Sequence, residues 1–142
     1  TNSLVLAVPA DNPAQVTGLH DLGRPELQVV LCAPQVPCGA LTVAATTAAS
    51  VDVAPDSLEP NVRAVLQRLE LGEADVGLVY RTDVAGHAVE VVDVEALDDL
   101  VAEYHFVDLT GRDSPTDSSR FVDLLLGPTG QRILTAHGFG VP

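Results

Sequence analysis

Short apolar runs, each cut off by proline or glycine, alternate along this chain with segments of helical periodicity. Leu4 to Val8 is uninterrupted and is stopped by Pro9 and Pro13, which predicts a strand entering a loop. Gly18 to Leu22 has room for a single helical turn. Leu27 to Ala33 reads as a buried strand broken by Pro34, and Ala40 to Ala49, rich in Ala and Thr, reads as a helix opened by Pro37-Cys38-Gly39. A short strand is expected at Val51-Asp52-Val53, ended by Pro55. Val62, Val65, Leu66 and Leu69 then recur at i, i+3, i+4 and i+7, the clearest helix of the chain, with Gly72 to end it.

Val76 to Tyr80 is a second buried strand, after which Thr82-Asp83 could cap a turn. Ala88 to Val94 and Tyr104 to Leu109 are strand-like, Ser118 to Leu126 is helical, and Gly127-Pro128 restarts a helix that Gly138 stops. Strands alternating with helices across short loops predict an α/β fold, a mixed, mostly parallel sheet with helices on both faces. In such sheets ligands sit at the carboxyl ends of strands, against helix N-termini.

Composition narrows the function classes. The chain has 142 residues, seven of them Arg, none Lys, and 20 acidic, for a formal charge of −13. Nucleic acid is excluded as a partner because no basic stripe exists to follow a phosphate backbone. No apolar run approaches the roughly 20 residues that span a bilayer. The first residues are Thr1-Asn2-Ser3 and no Met occurs, which reads as a processed or truncated product.

Three stretches look like parts of one oxyanion site: Val36-Pro37-Cys38-Gly39, Glu59-Pro60-Asn61-Val62-Arg63, and Tyr80 at the end of its strand. The first two bring backbone N–H groups at helix starts, and the third brings a hydroxyl. Uncharged donors of this kind hold a dehydrated anion without a lysine. Taken alone, each residue has a plainer explanation: Tyr80 as a packed aromatic, Val62 as a core residue, Arg63 as an exposed helix-start arginine. Cys32 and Cys38, with five residues between them, leave a disulfide, two inert thiols or a reactive pair open; their spacing is not that of a C-x-x-C redox motif. The four histidines have no metal-ligand spacing, so no cation or cofactor is expected. Gly-x-Ser-x-Gly is absent, and Cys38 has no His or Asn partner to make it a nucleophile, so no enzyme is expected.

Four segments resemble the molybdate-binding proteins of bacterial ABC importers: Asn2 to Pro9, Cys32 to Gly39, Gly72 to Tyr80, and Phe121 to Leu126. The likeness runs over most of the chain, in order, and is weakest between Arg81 and Val107, where Tyr104-His105-Phe106 replaces the usual Tyr-Pro and aliphatic strand. The resemblance implies a lobe like those of type II periplasmic binding proteins, which close on a tetrahedral oxyanion. It places the ligand donors on the backbone of Cys38 and Val62 and on the Tyr80 hydroxyl. Cys38 stands where the family often has Ala, a change that a backbone donor tolerates; a Cys32–Cys38 bridge would stiffen that turn. Two Ser donors of the family's N-terminal lobe have no counterpart here, which implies a chain lacking the N-terminal half of the first lobe. Residues 4–103 would be the second lobe, and residues 104–142 a returning C-terminal segment of the incomplete first lobe.

The implied function is that of an extracytoplasmic solute-binding component delivering molybdate or tungstate to a membrane permease of the ABC class. It would work in the periplasm or at the outer face of the membrane, with a lipoprotein anchor outside this sequence as one option. Apolar surface left by the missing lobe would favour a homodimer. The alternative is the effector-binding domain of a LysR-type transcription regulator, which shares the architecture; the lack of a helix-turn-helix or basic patch counts against it.

Overall fold

A computed structural model describes residues 1–107 and 115–140. Six strands form one sheet: β1 (Asn2–Pro9), β2 (Val29–Cys32), β3 (Ser57–Glu59), β4 (Val76–Tyr80), β5 (Val89–Val92) and β6 (Val101–Ala102). The order is β3-β2-β4-β1-β5, with β6 also paired to β1. β2 runs parallel to β3 and β4, whereas β1 is antiparallel to β4, β5 and β6. The sheet is therefore mixed, with β1 alone opposing the other five strands. Its central residues Leu6, Ala7 and Val8 are completely buried, which explains why β1 reads as a continuous apolar run rather than an alternating one.

Among the described residues four α-helices accompany the sheet: α1 (Pro37–Ala48), α2 (Val62–Glu70), α3 (Pro115–Leu126) and α4 (Pro128–Ala136). The β2–α1–β3 connection steps outward and the β3–α2–β4 connection steps back past β2. With the usual right-handed crossover, these opposite steps put α1 and α2 on opposite faces. α2 buries Val65, Leu66 and Leu69, each such burial contributing roughly 1.5–3 kcal/mol. It sits close to the sheet because Gly77 lies beneath it: a Cβ there would come within 2.6 Å of Val65 Cγ1 and 2.8 Å of the Val30 carbonyl oxygen. Ala7, the cross-strand partner of Gly77, continues the small-residue floor. Gly72, at φ +68°, ends the helix in the left-handed region, and the Glu73 N–H closes back on the Arg68 carbonyl.

Two expected strands are displaced. Val51-Asp52-Val53 is not a strand; the Val51 N–H bonds the Thr46 carbonyl and Ser50 adopts φ 53°, so this segment finishes α1 instead. The strand begins only after Pro55, where the Asp56 N–H donates to the Val29 carbonyl and the Asp56 carboxylate accepts from the Val29 N–H. At the other place, the strand comes earlier than expected, at Val101–Ala102. Residues 104–107 are irregular, and the rest of the expected Tyr104–Leu109 strand lies outside the described residues. Among the described residues no helix is long and apolar enough to cross a membrane.

Candidate functional site

The parallel strands β2, β3 and β4 bring their carboxyl ends to one edge of the sheet, at Cys32, Glu59 and Tyr80. Because β2 connects outward to β3 while β4 lies on its other side, this edge is a topological switch point. α1 and α2 both begin here. β1, running the other way, contributes its first residues to the same edge, since Leu4 pairs with Tyr80.

Each helix start leaves backbone donors open. In α1 the N-cap is Val36, which supplies no side-chain cap, and Pro37 follows it. The N–H groups of Cys38 and Gly39 thus have no intrahelical acceptor. Gly39 is required by the tight approach of this turn to the end of β2, since a Cβ would collide with the carbonyl oxygen of Ala33 and lie 2.8 Å from that of Cys32. A disulfide joins Cys32 to Cys38 across the same turn, with Cα atoms 5.9 Å apart, and both residues are buried. In α2 the N-cap is Asn61, whose Oδ1 accepts from the Ala64 N–H at 3.1 Å. The N–H groups of Val62 and Arg63, earlier in that turn, remain without an intrahelical acceptor.

A cavity of about 420 Å³ opens at this edge, lined by Asn2, Asn61, Val62, Arg63, Tyr80, Thr82, Asp83 and Tyr104. Two of its residues hold unpaired polar atoms. Tyr80 is 8% exposed and Asn2 is 2% exposed, yet Tyr80 Oη and Asn2 Oδ1 are buried with no hydrogen-bond partner among the described residues. Burial raises the Tyr80 hydroxyl above the usual tyrosine range, with smaller contributions from Tyr104 and Asp83. The hydroxyl therefore stays protonated, a donor waiting for an acceptor. Burial also raises the Asp83 carboxyl, against the pull of His87 and Arg63.

Of the three residues singled out in the sequence, Val62 and Tyr80 share this cavity, and Cys38 does not belong to its wall. Cys38 stands at the start of α1, beside the end of β2. Arg63, read from the sequence as an exposed helix-start residue, is exposed and also lines the cavity. Sequence reasoning missed Asn2, Thr82, Asp83 and Tyr104 as wall residues. Asn2 stands two positions before Leu4, on the same face of β1, and nothing local marks it as a wall residue. The other three sit on segments whose return to this edge depends on tertiary structure alone.

Comparison with known proteins gives the family and the fold. A family model described as bacterial extracellular solute-binding protein matches residues 1–140. The molybdate-binding protein ModA of Mycobacterium tuberculosis (strain H37Rv) is 35% identical over 144 aligned positions, covering 100% of this chain and 55% of the relative. The chain thus spans about half the length of the curated relatives it matches. Among solved structures, a substrate-binding domain assigned to a molybdenum ABC transporter from Clostridium difficile superposes with a TM-score of 0.71 at 21% identity, covering 99% of this chain and 64% of that one. The sulfate-binding protein SubI from Mycobacterium tuberculosis H37Rv gives 0.68 at 17% identity, covering 97% and 55%. These two structural likenesses establish the fold, a lobe of the periplasmic-binding-protein type.

Proposed function

Because this chain belongs to the bacterial extracellular solute-binding proteins, a family of binding rather than catalysis, we propose that it forms one side of a molybdate site in an ABC importer's solute-binding component. The observation that carries this reading is the buried, unpartnered Tyr80 hydroxyl beside the open N–H groups of α2's first turn. A divalent oxyanion stripped of water needs a donor for each oxygen. The Val62 N–H and the Tyr80 hydroxyl would supply two from this cavity, and the Cys38 N–H a third from the start of α1. The 35% identity to a molybdate-binding protein supports that choice of anion. Tungstate, of nearly the same size and charge, would be accepted by the same donors.

In this reading residues 4–103 form the second lobe of a two-lobed protein and residues 104–142 return to the first lobe. The partner in the membrane is an ABC permease, and the place of action is outside the cytoplasm, in the periplasm or, with a lipid anchor, at the outer face of the cell membrane. A buried Cys32–Cys38 bridge suits that oxidising setting. Phe121, Leu124, Leu126 and Ile133 of α3 and α4 are each more than half exposed, which supports self-association of this chain into a homodimer. Sedimentation showing only monomer at high concentration would remove that part of the reading.

The site itself is tested by calorimetric titration with molybdate, with sulfate in parallel and Tyr80→Phe as the control. Saturable heat with molybdate, reduced roughly tenfold or more in affinity by the variant, is expected for loss of one hydrogen bond to a charged group. Equal affinity for sulfate would overturn the choice of ligand, and an unchanged Tyr80→Phe would overturn the site.

A further inference from the structure

Asn2 is the most buried polar residue on the cavity wall and only half of its carboxamide is used. Its Nδ2 donates to Thr82 Oγ1 at 2.8 Å, whereas its Oδ1 is buried without a partner. The pairing of Leu4 with Tyr80 explains the contact with Thr82. Extending that register by two residues sets Asn2 opposite Thr82 and on the same face of the sheet as Tyr80. At this point the backbone following β4 has left the ladder for the turn at Arg81–Asp83, while Asn2 itself pairs with Ala102 of β6. The side chain of Asn2 bridges the gap.

We propose that Asn2 is an additional ligand-binding residue of this site, able to present either edge of its carboxamide to the cavity. Thr82 makes this reversal inexpensive, because a hydroxyl both donates and accepts. With Nδ2 on Thr82, the acceptor Oδ1 faces away from that bond and suits a water molecule. With the carboxamide turned over, Oδ1 accepts from the Thr82 hydroxyl and Nδ2 becomes a donor for an anion. The turned state leaves no buried atom of Asn2 unpaired once the anion is present. An acceptor on this wall would repel a fully deprotonated oxyanion, so anion binding itself selects the turned state. The inference rests on the oxyanion reading of the cavity.

The test is titration of molybdate into the full chain and into Asn2→Leu, Thr82→Val and the double variant, with thermal unfolding of each as a control for folding. If Asn2 donates to the ligand, Asn2→Leu lowers affinity roughly ten- to hundredfold, while Thr82→Val, which keeps the carboxamide, lowers it only a few fold. Equal losses in the two single variants, with no further loss in the double, would mean that Asn2 only braces the turn and would overturn the proposal. Should Asn2→Leu fail to fold, the side-chain amide signals of ¹⁵N-labelled Asn2 in the unaltered chain provide the answer. A molybdate-dependent shift with slowed exchange of its N–H protons is expected, and signals indifferent to molybdate would overturn the proposal. Silence of the unaltered chain towards molybdate would instead defeat the oxyanion reading, and this inference with it.

Discussion

Arg68 Nε lies 2.6 Å from Glu59 Oε1, tying α2 to the end of the strand that precedes it. The same carboxylate oxygen accepts from Ser57 Oγ at 2.7 Å, and a second nitrogen of Arg68 reaches Glu73 at 3.3 Å. Between the two tied residues runs the Pro60-Asn61 turn that opens α2. The clamp therefore fixes where the helix start, with its free N–H groups, stands at the sheet edge.

Glu59 makes stability pH-dependent. The hydrogen bond from Ser57, then the hydrogen bond and the charge of Arg68, hold its carboxyl below the ordinary value of 4.5 despite desolvation. A folded-state value below the unfolded one gives stabilisation that is present above about pH 4.5 and lost as pH falls through the folded value. Glu59→Gln is expected to flatten the acid side of the stability curve. Near neutrality it should cost roughly 1 kcal/mol, a low figure because Arg68 is 41% exposed and screened by solvent. Urea unfolding at a series of pH values checks both effects.

The Cys32–Cys38 bridge closes a short loop, with a sequence separation of 6. Loop entropy alone then gives roughly 2 kcal/mol. Replacing both cysteines by Ala is expected to lower stability by about that amount. It should also weaken molybdate binding, since the turn carrying the Cys38 and Gly39 N–H groups loses its tether. Denaturation and titration of the same variant separate the two consequences.

Gly39→Ala forces a methyl group against the carbonyls of Ala33 and Cys32. Those atoms are backbone at the end of a central strand and cannot swing aside. A loss of about 1–3 kcal/mol is expected from such overpacking, together with weaker anion binding. Gly18→Ala, where nothing lies within 4 Å, is the matched control and should stay within about 0.5 kcal/mol, as surface changes do.

Asp83 places a carboxyl on the wall of a cavity proposed for an anion. Burial raises it above the ordinary 3.8, so its ionised form is already disfavoured there. Asp83→Asn is expected to strengthen molybdate binding several fold at about pH 7 by removing a like charge. The gain should shrink as salt is added, because screening weakens the repulsion in the parent protein. Titration at two ionic strengths reads this directly.

Much of the fold was legible because its signals are local. Pro25 and Pro34 bracket the strand at Val29–Cys32, Gly72 precedes the apolar run at Val76–Tyr80, and the i, i+3, i+4, i+7 pattern of Val62 to Leu69 names the face of α2 that is buried. Val51 to Val53 misled because its apolar pattern suits a strand, while the chain there is used by α1's last carbonyls. Of the candidate site, Val62 and Tyr80 were legible from their positions at a helix start and a strand end. Asn2, Thr82, Asp83 and Tyr104 reach the same cavity only because β1 runs against its neighbours and the chain after β4 turns back. No periodicity within either segment encodes that encounter.

The reversed strand has a consequence for how the molecule is made. β1 is translated before β4 and β5, yet its ladder partners are Tyr80 for Leu4 and Val92 for Leu6. Until those residues exist, its apolar run has no place in the sheet, and the remainder of the sheet has no centre. Such non-local pairing slows folding and keeps the nascent chain open. In a family described as extracellular, slow closure of this kind suits a chain that must stay open until it has left the cytoplasm.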